Sequence, residues 1–157
     1  MKISLFLYKL SKFTMLLSKI HIFFIASAFI LFSDSCKKKE DLVPNVYVNF
    51  TIFLSDPEFS TLQTIGNNVF VTGGVAGIII YRASQTEFVA LDRCCTYKPS
   101  DRCAVLPDTI NTLFLKCPCC GSKFSFIDGS VQAGDAERPL TQYSTYYDGN
   151  NSVRVSN

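Results

Sequence analysis

The chain has 157 residues, seven cysteines, one histidine and a formal net charge of +2. This length suits one compact domain with a tail, so we expect no second domain for catalysis. A nearly neutral chain without a basic stripe is a poor binder of nucleic acid, so we expect no nucleic-acid partner.

Residues 1–35 are predicted to form a signal peptide. Lysines precede an apolar run, residues 22–32, which is too short for a comfortable membrane span. Ser35 and then Cys36 follow, an order that resembles the bacterial lipoprotein signal, in which that cysteine becomes the lipidated N-terminus. The alternative is an ordinary secretory cut that leaves Cys36 as a plain thiol. We expect the protein in the cell envelope, anchored by lipid to the outer or inner membrane.

Residues 36–45 are predicted to be a solvated tether, because the charged stretch KKKED directly follows the cysteine. Its basic-then-acidic order resembles the surface-export tag of lipoproteins in the Bacteroidetes group. Removing residues 1–35 takes away four lysines, Asp34 and His21, which leaves eleven basic and twelve acidic residues. The expected mature chain is therefore slightly acidic and contains no imidazole, so no histidine can activate a nucleophile. We expect no enzymatic activity.

The remaining residues, 46–157, are predicted to be one domain of short strands. The predicted strands are 46–54 (VYVNFTIFL), 69–74 (VFVTGG), 77–82 (GIIIYR), 88–92 (FVALD), 112–116 (TLFLK), the hairpin 123–132 (KFSFI-DG-SVQ), 140–147 (LTQYSTYY) and 152–157 (SVRVSN). The first alternates with period 2, and no segment shows a sustained helical period. The fold class is therefore all-β, a small antiparallel sandwich or barrel. Asp92, Glu87 and Glu137 are expected on the surface.

Two cysteine-bearing segments resemble a known family. RCCTYKPSDRCAV (93–105) and CPCCGSKFSFIDGSVQAGDAERPL (117–140) are similar to the two cluster-binding loops of Rieske iron–sulfur domains. Those loops contain C-T-H with a later cysteine, then C-P-C-H-G-S, an aromatic residue, a hairpin and a G-P-A-x-x-P-L stretch. Asp135 stands where the family has proline in that last stretch. The resemblance implies a small Rieske-like fold with two cysteine-bearing hairpin loops.

Carried over residue by residue, the ligand positions of that family hold a different set of donors. In the family, two cysteines bind one iron and two histidines bind the other. The cysteine positions correspond to Cys95 and Cys117, whereas the histidine positions are occupied by Tyr97 and Cys120. The resemblance thus implies a histidine-free ligand set. Tyrosine is a poor ligand, since its ordinary pKa is about 10, so Cys94 is an alternative in place of Tyr97.

Three interpretations of these cysteines stay open. The first is a [2Fe–2S] cluster on Cys95, Cys117 and Cys120. The second is zinc on Cys117-x-x-Cys120, although the other C-x-x-C of a four-cysteine site is missing. The third is a metal-free domain with three disulfides, in which the family's pattern implies a Cys103–Cys119 bond. Extracytoplasmic cysteines usually pair, and a signal peptide without a twin arginine indicates export unfolded and without a cofactor.

Two functions follow from these interpretations. The first is an electron carrier or other metal-binding module, tethered to the membrane and serving an unidentified envelope protein. The alternative is a binding or structural module, free of metal and stabilised by disulfides, on a Rieske scaffold.

Overall fold

The computed structural model describes residues 40–157, which form two antiparallel β-sheets. The strands are β1 (Asn49–Phe53), β2 (Asn68–Val71), β3 (Ile78–Arg82), β4 (Phe88–Asp92), β5 (Leu106–Pro107), β6 (Phe114–Lys116), β7 (Lys123–Ser125), β8 (Val131–Ala133), β9 (Gln142–Tyr147) and β10 (Ser152–Ser156). Six strands form one sheet in the order β1-β10-β9-β4-β3-β2, and the other four form a sheet in the order β5-β6-β7-β8. The predicted all-β class is confirmed.

The predicted signal peptide and the lipidation site at Cys36 lie outside the described residues. Of the predicted tether, residues 40–45 are described, and they contain no helix or strand. Asp41 in this segment accepts hydrogen bonds from the backbone and the hydroxyl of Ser100. Within residues 40–157, no helix has the length and apolar character needed to cross a membrane.

Strands β3 and β4 are buried on both faces, which explains their unbroken apolar runs. Ile78 and Ile80 belong to one core cluster together with residues of β1, β9 and β10. Ile79, Val89 and Leu91 belong to a second cluster on the opposite face, against the four-stranded sheet. Successive side chains of a strand point to opposite faces, so a strand between two cores needs apolar residues at every position. The second cluster includes two of the cysteines considered below.

The first strand is shorter than the sequence predicts, and a short helix follows it. Val48, Ile52 and Leu54 are buried on one face as the alternation predicts, but Val46 is 37% exposed. Pro57–Gln63 forms a 3₁₀ helix that the sequence pattern did not predict. Such helices are brief and have three residues per turn, so they leave no amphipathic period of 3.6 to detect.

Both predicted hairpins are present, with one difference. β7 and β8 pair with a register shift, and residues 126–130 connect them, so the connection is longer than the Asp128-Gly129 turn of the predicted hairpin. β9 and β10 form the closing hairpin. The carboxylate of Asp148 accepts backbone hydrogen bonds from Asn150, Asn151 and Ser152, which holds that turn closed.

Candidate metal centre

The first cysteine-bearing loop follows β4 and folds back on itself. The N–H of Cys95 donates to the carbonyl of Cys103 at 2.9 Å, and the N–H of Val105 donates to the carbonyl of Arg93 at 2.7 Å. A 3₁₀ turn at Pro99–Asp101 closes the end of the loop. This pairing sets Cys95 and Cys103 side by side.

The second loop connects β6 to β7 through a compact turn. The N–H of Cys117 donates to the carbonyl of Ser122 at 2.8 Å, and the N–H of Gly121 donates to the carbonyl of Cys117 at 2.9 Å. The buried hydroxyl of Ser122 lies 3.2 Å from the Cys120 sulfur and accepts from the N–H of Ala136 at 3.1 Å. Ser122 therefore fixes the Cys120 side chain and the returning chain together.

A disulfide between Cys103 and Cys119 joins the two loops, and these are the residues that the family resemblance pairs. The junction brings three free thiols together. The Sγ atoms of Cys95, Cys117 and Cys120 all lie within 4.8 Å of one another. The sulfurs of Cys95 and Cys120 lie 3.5 Å apart.

These thiols border a cavity of about 100 Å³. The lining residues are Cys95, Tyr97, Lys98, Asp101, Cys103, Cys117, Cys119 and Cys120. Cys95 and Cys117 are buried, Cys120 is half-buried and Cys119 is exposed, so the cavity extends from the core to the surface. Tyr97, which is 42% exposed, is the one tyrosine within residues 40–157 that lines this cavity.

Cys94, the alternative fourth ligand, lies away from the cavity. Its Sγ is 3.6 Å from the carbonyl oxygen of Pro99, and the side chain is completely buried. Because neighbouring side chains on an extended segment point to opposite faces, Cys94 and Cys95 diverge. Burial, and then the nearby carboxylate of Asp92, raise the pKa of Cys94 to about 11. Among the predicted fourth ligands, the cavity offers Tyr97 only.

The electrostatic settings of Cys95 and Cys120 differ. Burial raises the pKa of the Cys95 thiol far above its ordinary value, and hydrogen bonding to Cys117 adds to the shift. Burial also acts to raise the pKa of Cys120, but hydrogen bonds from the side chain and backbone of Ser122 outweigh it and lower that pKa. The half-buried thiol is thus the more easily ionised of the two.

The surface position predicted for Asp92 is wrong, because this side chain is completely buried. Its carboxylate accepts hydrogen bonds from the N–H of Val75 at 2.6 Å, of Ala76 at 3.3 Å and of Cys94 at 2.8 Å. The hydroxyl of Tyr143 also donates to it, at 2.8 Å. Asp92 therefore links the first cysteine-bearing loop to the glycine-containing loop between β2 and β3, residues 72–77. The one sequence signal was its position at the end of a strand buried on both faces.

The fold and the paired loops agree with a known family. The sequence model described as "Rieske [2Fe-2S] domain" matches residues 53–144, which is more than half of the chain. The chain belongs to the Rieske [2Fe–2S] domain family. Membership makes the domain a module of the iron–sulfur electron-transfer type. No curated protein sequence matches the chain.

Two solved structures illustrate the similarity. The plasma membrane Rieske protein PetC3 from the cyanobacterium Synechocystis PCC 6803 is 24% identical, with a TM-score of 0.46 over 57% of this chain and 85% of that one. The complex of oxygenase and ferredoxin in carbazole 1,9a-dioxygenase is 21% identical, with a TM-score of 0.44 over 59% of this chain and 82% of that one.

The histidine-ligated centre of the Rieske family does not fit the residues present, because residues 40–157 contain no imidazole. A sulfur-ligated centre does fit. Thiolates that share a tetrahedral metal, with bonds of about 2.3 Å, lie roughly 3.8 Å apart. The separation of 3.5 Å between Cys95 and Cys120, and the limit of 4.8 Å for the set with Cys117, match that spacing. The donors that the structure brings together are thus the three sulfurs of Cys95, Cys117 and Cys120.

Proposed function

We propose that this protein is an electron carrier of the cell envelope whose Rieske domain holds iron through sulfur instead of imidazole. Thiolates of Cys95, Cys117 and Cys120 would be the ligands, with the phenol of Tyr97 at the fourth position. Iron bound there would supply one-electron chemistry, and the domain would pass electrons to a separate envelope protein without catalysing a reaction. The observation that carries this proposal is the convergence of three free thiols within 4.8 Å at the family's ligand positions.

The surrounding residues support binding at this position. The Cys103–Cys119 disulfide holds the two loops together whether or not a metal is bound, so the thiols are preorganised. Ser122 restrains Cys120, while Cys95 and Cys117 are shielded from water by the second core cluster. Imidazole ligands raise the potential of Rieske centres, so a [2Fe–2S] cluster held here without them should be of low potential, on the order of −400 mV as in plant-type ferredoxins.

Anaerobic reconstitution of the full-length protein tests this proposal. The reduced protein is incubated with ferrous iron, with and without sulfide, and desalted before iron, acid-labile sulfide and visible absorption are measured. We expect stoichiometric iron retention and thiolate-to-iron charge-transfer absorption. Cys120→Ser should retain at least tenfold less iron, whereas Cys94→Ser should behave like the unaltered protein, because Cys94 does not line the cavity. Absence of absorption after reconstitution would exclude the electron carrier, and stoichiometric zinc in the purified protein would leave a metal site without electron transfer.

A second candidate is a metal-free binding module whose loops are held by disulfides alone. The existing Cys103–Cys119 bond and the 3.5 Å contact between the sulfurs of Cys95 and Cys120 favour it. In that case the loops would be presented to an envelope partner as a rigid surface. Titration that finds Cys95, Cys117 and Cys120 as free thiols after metal removal would exclude this candidate.

We further propose that Cys36 carries the lipid anchor, which rests on the sequence alone. Metabolic labelling with a fatty acid, followed by mass spectrometry of the N-terminal peptide, should find the modification in the unaltered protein and lose it in Cys36→Ser. An unmodified Cys36 inside an intact chain would contradict the anchor and leave the metal proposal unaffected.

A further inference from the structure

Cys95 and Cys120 form a sulfur pair that could react with no metal present. Their Sγ atoms lie 3.5 Å apart although the residues belong to different loops. A disulfide needs about 2 Å between sulfurs, so closure requires an approach of about 1.5 Å. Cys120 is half-buried in the turn after β6, so its sulfur is the more accessible of the two, whereas Cys95 is only 2% exposed.

The third thiol of the site is placed differently. Cys117 is completely buried, and its Sγ lies 3.7 Å from that of Cys103, which already belongs to the disulfide. Cys117 therefore packs against a sulfur that is already bonded, although it also lies within 4.8 Å of Cys95 and Cys120. An external reagent would meet Cys120 before Cys95 or Cys117, because Cys120 is the most exposed of the three free thiols.

We propose that Cys95 and Cys120 are a reversible dithiol–disulfide couple that exchanges with external disulfides, R–S–S–R. Cys120 loses its proton to water, and its thiolate attacks one sulfur of R–S–S–R. The R–S–S–R bond breaks, one RS⁻ leaves and takes up a proton, and a mixed disulfide remains on Cys120. The Cys95 thiol then gives up its proton as its sulfur attacks the Cys120 sulfur, and the second RS⁻ leaves and takes up that proton as RSH. Two protein thiols are oxidised by two electrons, and the external disulfide is reduced to two thiols.

This chemistry goes beyond the proposed iron centre and does not depend on it. The couple moves two electrons by making and breaking a sulfur–sulfur bond, whereas bound iron moves one. Closure of the couple would also remove two of the three thiol ligands at once. Oxidised protein is therefore expected to be unable to bind metal, and the two activities would alternate at one site.

The test uses glutathione and its disulfide as probes on the full-length protein after chelation and gel filtration. The protein is equilibrated across a series of glutathione redox ratios, free thiols are alkylated, and linked peptides are identified without reduction. We expect a peptide that links Cys95 to Cys120, appearing in a single two-electron transition. Persistence of Cys120 as an alkylated thiol at every ratio, or linkage of Cys117 to either residue in its place, would overturn the proposal.

Single substitutions test the order of attack. Cys95→Ser should trap one glutathione on Cys120, because the second step is blocked. Cys120→Ser should leave Cys95 unmodified, and Cys94→Ser should titrate like the unaltered protein. Adduct formation on Cys95 in Cys120→Ser would contradict the assigned order. The peptide map of the unaltered protein decides the proposal even if a variant misfolds, and failure of iron reconstitution would not change its outcome.

Discussion

We predict that loss of the hydrogen bond from Tyr143 to the buried carboxylate of Asp92 lowers the free energy of unfolding. Tyr143→Phe removes the O–H donor, which lies 2.8 Å from the carboxylate, and keeps the buried ring. Hydrogen bonds to charged groups contribute roughly 1.5–3 kcal/mol. Because three backbone N–H groups still satisfy Asp92, we expect the lower end, a loss of about 1.5 kcal/mol in the free energy of unfolding.

Urea denaturation, with thermal unfolding as a second probe, measures this loss. At about 4 °C per kcal/mol for a domain of this size, the midpoint should fall by about 6 °C with no change in the urea m-value. Tyr146→Phe is the matched control on the same strand, because its ring is 70% exposed and its hydroxyl makes no hydrogen bond within residues 40–157. If the two variants lost equal stability, or if Tyr143→Phe lost less than about 0.5 kcal/mol, the assigned role of this hydrogen bond would be wrong.

Three other perturbations have defined outcomes. Gly134→Ala, at φ +95°, places a Cβ 2.5 Å from the backbone of the second loop, whereas Gly121→Ala, at φ +77°, meets open space. Urea denaturation should show the first variant to be at least about 1 kcal/mol less stable than the second, and equal losses would contradict the close approach. Replacing both Cys103 and Cys119 by serine should lower the free energy of unfolding by about 3 kcal/mol in the absence of reductant, because the bond closes a loop and so restricts the unfolded chain. A loss under about 1 kcal/mol would show that the bond contributes little. Hydrogen bonds from the backbone of the β9–β10 turn lower the pKa of Asp148 to about 2, so the ionised carboxylate stabilises the fold above about pH 4 and this contribution is lost as the pH falls toward 2. The difference in unfolding free energy between the unaltered protein and Asp148→Ala should therefore disappear over that range, and a constant difference would refute the role of this carboxylate.

The strands were largely predictable because the pattern of apolar and polar residues indicates which faces of each strand are buried. The predicted strand at residues 88–92 coincides with β4, and the alternation in residues 48–54 marks the buried face correctly. The Asp-Gly dipeptide indicated too short a turn, because residues 126–130 connect β7 to β8 and Phe126 in this connection is buried. Tertiary packing therefore overrode a local turn preference.

The candidate site was predictable as a set of residues but not as an arrangement. The order of the motifs indicated which cysteines lie on the two loops. Neighbouring side chains on an extended segment diverge, but which of Cys94 and Cys95 faces the cavity depends on the pairing of the loop with itself and on the hydrogen bond from the N–H of Cys94 to Asp92. The sequence also could not show how a buried Asp92 is stabilised, because the four donors that bind it come from three separate segments of the chain.

X-ray absorption spectroscopy at the iron edge of the reconstituted full-length protein tests the central claim most directly. We predict a first shell dominated by sulfur, without the multiple scattering of imidazole, and loss of bound iron in Cys120→Ser. Iron surrounded only by oxygen and nitrogen, or failure of the unaltered protein to retain iron, would contradict the sulfur-ligated centre.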